Sequence, residues 1–382
     1  MDRQLITAGV IAARLTSCRS SAGGEGRAVM AGTVRNTSPY EMFRTLAATR
    51  PPTHRYTPGR DVAEWQAKAL PDVLATLGTA PAAVPPQAEL IAEWQRGDVL
   101  TQRWLLDVSA HLAAYAYVNR PAGLGASETR PALLCWHGHS HGGKEVVMGN
   151  DSSPALREAD RDTHTSYGRR MAEAGFVTFG IDWMGYGDQD DSGKPHHHDL
   201  AGGRDWCNLY YLQATMLGMT PLGINLAHGR SLVDFASALP YVDAGRLGVM
   251  GLSGGGTMTL WSALTDERLA AAEIICYSDL FEHFAFRDLN YCGSQITPGL
   301  YELVDLPDLQ GLLAPRPLLV DIGAFDQCFR LESAMACHSR VADIYRAAGA
   351  ADRLELDLFP GGHGWSGAKS VDFFSRHLAA PR

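Results

Sequence analysis

The chain has 382 residues, a formal net charge of -9 with no offsetting basic run, and 46% hydrophobic against 20% charged residues. That balance excludes a nucleic-acid surface and suits a globular enzyme long enough to bury a sizeable core. The seven cysteines are scattered and include no C-x-x-C pair, which excludes a disulfide scaffold and a zinc ribbon.

Residues 1–37 read as a disordered leader in which Gly23-Gly24-Glu25-Gly26-Arg27 suits disorder and Met30 is a competing start. Leu15-Thr16-Ser17-Cys18 has the form of a lipoprotein cleavage box after a short apolar stretch. Asp2 and Arg3 cancel, however, and Arg14 interrupts the apolar segment. The expectation is a cytoplasmic protein, with a lipoprotein or secreted form if this segment is a signal. No apolar run approaches the length of a membrane-spanning helix, so no integral membrane segment is expected.

Residues 38–99 read as a helical extension packing on the main domain. Val62, Trp65, Ala69 and Leu70 fall at helical spacing behind a candidate N-cap, Asp61. A Pro/Ala stretch then precedes a second expected helix through Leu90, Ile91 and Trp94. From Leu100 the pattern changes. Residues 104–108 and 112–118 predict antiparallel entry strands. Apolar runs at 132–136, 176–181, 247–250, 272–276, 318–322 and 354–358 then predict strands, with helices at 167–174, 224–239 and 257–264. Short apolar strands separated by helices predict an α/β architecture with a mostly parallel, doubly wound sheet. Cys135 and Cys276 lie in such runs and read as buried thiols. Cys292 and Cys328 fall in loops near the expected site, where a bridge is conceivable but not fixed by spacing.

In Gly251-Leu252-Ser253-Gly254-Gly255 an apolar strand runs into a serine flanked by glycines, with a helix behind it. That is the setting of a nucleophile elbow: the serine takes a strained turn, its neighbours must be small, and the helix amides face the developing oxyanion. Ser253 is therefore the candidate nucleophile. The last predicted strand ends in Phe359-Pro360-Gly361-Gly362-His363-Gly364-Trp365, where a loop histidine can reach it, so His363 is the candidate base. Asp326, just past the strand before, is the preferred acid to orient His363, with Asp321 and Asp279 as competitors. The oxyanion donors expected are the backbone N–H groups of Gly254 and His139. His137, His139 and His141 invite a metal reading, yet the Asp-His pair that should follow is replaced by Gly142-Gly143. His196-His197-His198-Asp199 reads as a solvated loop. No metal and no cofactor are expected. Trp183 and Tyr186 follow a predicted strand and are candidate substrate-lining aromatics.

From residue 131 onward the chain resembles the α/β-hydrolase superfamily, within it the bacterial dienelactone-hydrolase-like and acetyl-xylan-esterase-like branch. The resemblance rests on His137-Gly138-His139, Asp182 with Gly185 and Gly187, Gly251 to Gly255, Ala314-Pro315-Arg316-Pro317, Asp326 and His363. It implies a central, mostly parallel sheet over a catalytic domain at residues 100–382 and serine acyl-enzyme chemistry, but no particular substrate, because this superfamily hosts many. The excursion between two core strands at about 279–313 reads as a lid, and the expected partner is a small-molecule ester. Enzymes named dienelactone hydrolase carry a cysteine where this chain has Ser253, which favours simple esters. Gly255 also makes the motif similar to prolyl-oligopeptidase-type peptidases, so a peptidase or amidase is one rival. An acyltransferase using the same acyl-enzyme is the other.

Overall fold

A computed structural model describes residues 35–379 apart from Pro86, Ala126, His141 and residues 194–204. Met30, the Cys18 segment, His141 and the His196–Asp199 run lie outside the described residues. Residues 35–38 carry no regular structure, and the described residues from 40 to 379 form one compact unit.

Nine strands form the sheet: β1 (Ala88–Arg96), β2 (Val99–Ser109), β3 (Leu112–Pro121), β4 (Arg130–Trp136), β5 (Val177–Ile181), β6 (Val242–Leu252), β7 (Leu269–Ile275), β8 (Leu318–Gly323) and β9 (Leu354–Phe359). Their order is β1-β2-β3-β5-β4-β6-β7-β8-β9. The first three form an antiparallel meander joined antiparallel to β5, and every pairing from β5 through β9 is parallel. The order reverses around β4, so a crevice opens beyond the carboxyl ends of β4 and β6.

Parallel strands covered on both faces need apolar side chains at every position. Along β4, Ala132, Leu134 and Trp136 join one apolar core while Leu133 and Cys135 join the other, the period of two that a pleated strand imposes. The first core is closed by helices Pro221–Ala238, Gly254–Thr265 and Leu331–Ala347, the second by Tyr167–Glu173 and Ser370–His377. Each fully buried large side chain, such as Trp136 or Phe179, contributes about 1.5–3 kcal/mol. Among the described residues no helix is long and apolar enough to cross a membrane.

The N-terminal extension divides. Helix Val62–Ala75 forms as read: Asp61 accepts from the Glu64 N–H at 2.9 Å, and Trp65, Ala69 and Val73 are buried in the main core. The second expected helix is instead strand β1, paired with β2 from Ala88↔Leu106 to Arg96↔Val99. The physical reason is the connection. Gly97-Asp98 is a two-residue hairpin loop with Gly97 at φ 59°, which commits the flanking residues to antiparallel pairing. Tertiary pairing then outweighs the helical spacing of Leu90, Ile91 and Trp94. The expected lid divides too. Leu289 to Cys292 line the crevice, whereas Leu300, Val304, Leu306, Leu309 and Leu313 are buried in the core and belong to the frame.

Candidate active site

β6 delivers Ser253 to the mouth of the crevice, and helix Gly254–Thr265 starts immediately behind it. Ser253 sits at φ 59°, ψ -117°, a positive-φ conformation outside the allowed wells of L residues that costs a non-glycine residue about 1–3 kcal/mol. The turn is also crowded. A Cβ on Gly251 would stand 2.5 Å from the Gly255 carbonyl oxygen and 2.7 Å from that of Trp136, so a side chain there would push the two strands apart.

The loop after β9 presents His363 to the same crevice, and the loop after β8 places the buried Asp326 against the ring of His363. His363 Nδ1 lies 2.9 Å from Asp326 Oδ2, and the imidazole stacks on Phe329 with centroids 5.8 Å apart and planes at 19°. The Nδ1–H donates to the carboxylate, which leaves Nε2 as the free ring nitrogen. Asp326 Oδ1 accepts from the N–H groups of Cys328 (2.7 Å) and Phe329 (3.1 Å). Burial alone would raise this carboxyl, but the His363 bond and the two amides outweigh it and hold Asp326 below its usual range.

The competing acids stand elsewhere. Asp279 accepts from Ser333 and from the Leu280 N–H, and its nearest histidine is His283 at 4.0 Å. Asp321 is fully buried in mid-strand and faces Glu273, the one carboxyl that can share a proton with it among the described residues. Burial first, then the nearby charges of Glu273 and Asp357, push its carboxyl well up. Glu273, which accepts from Trp365 Nε1 (3.1 Å) and Ser370 Oγ (2.6 Å), is itself pushed by burial up to about 7.

The loop after β4 packs directly on the Ser253 turn: a Cβ on Gly138 would lie 3.3 Å from that of Ser253. Neither the Gly254 N–H nor the His139 N–H meets an acceptor among the described residues. Both amides are thus available to a ligand. The two described histidines of this loop behave oppositely. His137 is buried, takes the Trp183 N–H on Nε2 at 3.0 Å and donates from Nδ1 to the Gly138 carbonyl at 2.8 Å. Burial lowers its proton affinity, so it is a neutral structural brace. The exposed His139 instead turns its ring toward Cys292, with Nε2 2.9 Å from Sγ.

Below the loop lies a group that sequence reasoning missed. Lys144 is fully buried, with Nζ 2.6 Å from both Asp182 Oδ2 and Asp188 Oδ2, and its backbone N–H donates to Asp182 Oδ1 at 2.7 Å. Burial opposes its charge, but the two carboxylates overcome this and hold the ammonium protonated. The pair ties the β4 loop to the β5 loop. Gly142-Gly143 directly before Lys144 was the available signal, a turn that lets a lysine face inward.

Trp183 and Tyr186 do not line the open crevice, whose volume is about 590 Å³. They line a recess of about 20 Å³ beside Gly254, His139 and Met258. Cys292 and Cys328 are both free thiols, so the conceivable bridge is not formed. Cys292 is drawn to His139, while Cys328 donates its N–H to Asp326.

No family model matches the sequence. A candidate hydrolase of Bacillus subtilis (strain 168), YtaP, is 25% identical over 290 residues, which span 75% of this chain and 90% of that protein. Among solved structures, a candidate acetyl xylan esterase from Bacteroides fragilis NCTC 9343 superposes with a TM-score of 0.68 at 16% identity, over 85% of this chain and 83% of that one. A glucuronoyl esterase from Solibacter usitatus superposes with a TM-score of 0.61 at 17% identity, over 86% of this chain and 97% of that one. Taken with the strand order and the positive-φ serine between β6 and its helix, these likenesses lead to one statement: this chain has the α/β-hydrolase fold.

Proposed function

We propose that the protein is a serine carboxylic-ester hydrolase that works through an acyl-enzyme. One observation carries the reading: the Ser253 turn and His363, the latter held by Asp326, open on the same crevice. Ser253 Oγ attacks the ester carbonyl while His363 Nε2 takes its proton. The imidazolium, balanced by Asp326, returns that proton to the departing alcohol. Water then enters, and the same histidine serves as base for deacylation. The Gly254 and His139 amides receive the tetrahedral oxyanion, each contributing about 3 kcal/mol to lowering the barrier. The names of the structural neighbours support ester over amide.

The two cavities divide the substrate. The recess behind Gly254 and His139 has room for a group the size of a methyl, and the crevice of about 590 Å³ takes a larger alcohol portion. The expected substrates are therefore short-acyl esters. The test is Ser253→Ala assayed on p-nitrophenyl acetate, with mass spectrometry of the wild type for an acetyl group on Ser253. Activity should vanish and the adduct should be found in the wild type alone. Full activity in the variant would overturn the mechanism, and faster turnover of octanoyl than acetyl esters would overturn the acyl assignment.

A further inference from the structure

Three soft donors from three separate segments converge beside the crevice. His139 comes from the β4 loop, Cys207 from helix Trp206–Met216, and Cys292 from the segment after β7. His139 Nε2, Cys207 Sγ and Cys292 Sγ all lie within 4.8 Å of one another, with Nε2 2.9 Å from the Cys292 sulfur. A tetrahedral zinc ion with Zn–S near 2.3 Å and Zn–N near 2.0 Å spaces such donors by about 3.5–3.8 Å. The His139–Cys292 separation lies just inside that spacing, and no pair of donors stands further apart than 4.8 Å. We propose that His139, Cys207 and Cys292 form a site for one zinc-class divalent ion, with the fourth position open toward the crevice.

The surroundings fit a thiolate site. Cys207 and Cys292 are buried, which limits the solvent around both sulfurs. Tyr186 Oη lies 2.6 Å from Cys207 Sγ, and Ser294 Oγ lies 2.9 Å from Cys292 Sγ, so each sulfur has an outer hydroxyl able to donate to it once deprotonated. Asp205, which caps the Cys207 helix at 3.0 Å and lines the crevice, adds negative charge beside the cation. His137 is excluded as a ligand because both its ring nitrogens are engaged.

On binding, two S–H bonds break, two metal–sulfur bonds form and two protons leave to solvent. The ion then links the β4 loop, the Cys207 helix and the Cys292 segment across one wall of the crevice. It also fixes the residue whose backbone N–H faces the proposed oxyanion. The site stands independently of the ester-hydrolase reading, because its test reads metal coordination.

The experiment titrates the reduced full-length protein with Co²⁺ and then with Zn²⁺. One equivalent of Co²⁺ should produce thiolate-to-cobalt charge-transfer bands with tetrahedral d–d bands, and Zn²⁺ should bleach both. X-ray absorption of the wild-type zinc complex should show sulfur at about 2.3 Å and nitrogen at about 2.0 Å. Cys207→Ser and Cys292→Ser, checked for native near-ultraviolet circular dichroism, should each bind roughly 100-fold more weakly. Cys328→Ser, on the same crevice but outside the cluster, should bind as the wild type does. Overturning results are an oxygen- and nitrogen-only shell, unchanged bands in both cluster variants, or no uptake of Co²⁺ by the reduced protein with both thiols titrating free.

Discussion

Asp321 and Asp326 lie five positions apart in one β8 segment, yet the fold makes them opposites. Asp326 stands past the strand end, where two amides and His363 favour its charge. Asp321 stands within the strand beside Glu273 and Asp357, and burial and these two acids push its carboxyl well up. The difference teaches that a carboxylate's role on this sheet follows its address. Beyond the carboxyl end, backbone N–H groups are free to solvate charge. In mid-strand every N–H is committed to the ladder.

The largest effect expected from that contrast is on catalysis. Asp326→Asn should lower kcat on p-nitrophenyl acetate by about 10⁴-fold by unsettling the His363 tautomer. A loss under tenfold would hand the orienting role to another acid. The interior pair should instead act on stability. Glu273 and Asp321 both bind protons in the fold that the unfolded chain has already released above its ordinary value of about 4.5. The Glu273 contribution is present below that value and is lost as pH rises through about 7, and Asp321, raised in the same direction, adds a loss of the same sign. Thermal melting should therefore fall between about pH 5 and pH 8 by more in the wild type than in a Glu273→Gln/Asp321→Asn double variant. Parallel profiles would show that the pair holds no extra proton. The smallest effect belongs to Asp279→Asn, which should change kcat by less than about threefold, since this carboxyl reaches Ser333 and not His363. A loss comparable to that of Asp326→Asn would break the rule of address.

The same rule explains what could be read in advance. Ser253, Asp326 and His363 each follow an apolar run and sit among glycines or at a strand end, so local pattern alone nominates them for the proposed site. Less legible were features defined by distant partners. Cys292 and His139 are 153 positions apart and nothing near either announces the other. Lys144 reads as a surface residue until Asp182 and Asp188 are known to enclose it. Helix Leu331–Ala347 escaped the reading because its buried face begins with Ala334 and Cys337, small residues that blur the apolar stripe before Val341, Ile344 and Tyr345. Strand β1 shows the converse, a helical spacing overruled by the two-residue turn that follows it.

The positive-φ backbone of Ser253 sets the chain's chemistry against its endurance. Glycine at that position would relieve the conformation and raise the melting temperature, while removing the hydroxyl proposed to carry the reaction. Screening this protein for thermal robustness alone would thus select against its proposed nucleophile, and any stabilised descendant should be checked first at residue 253.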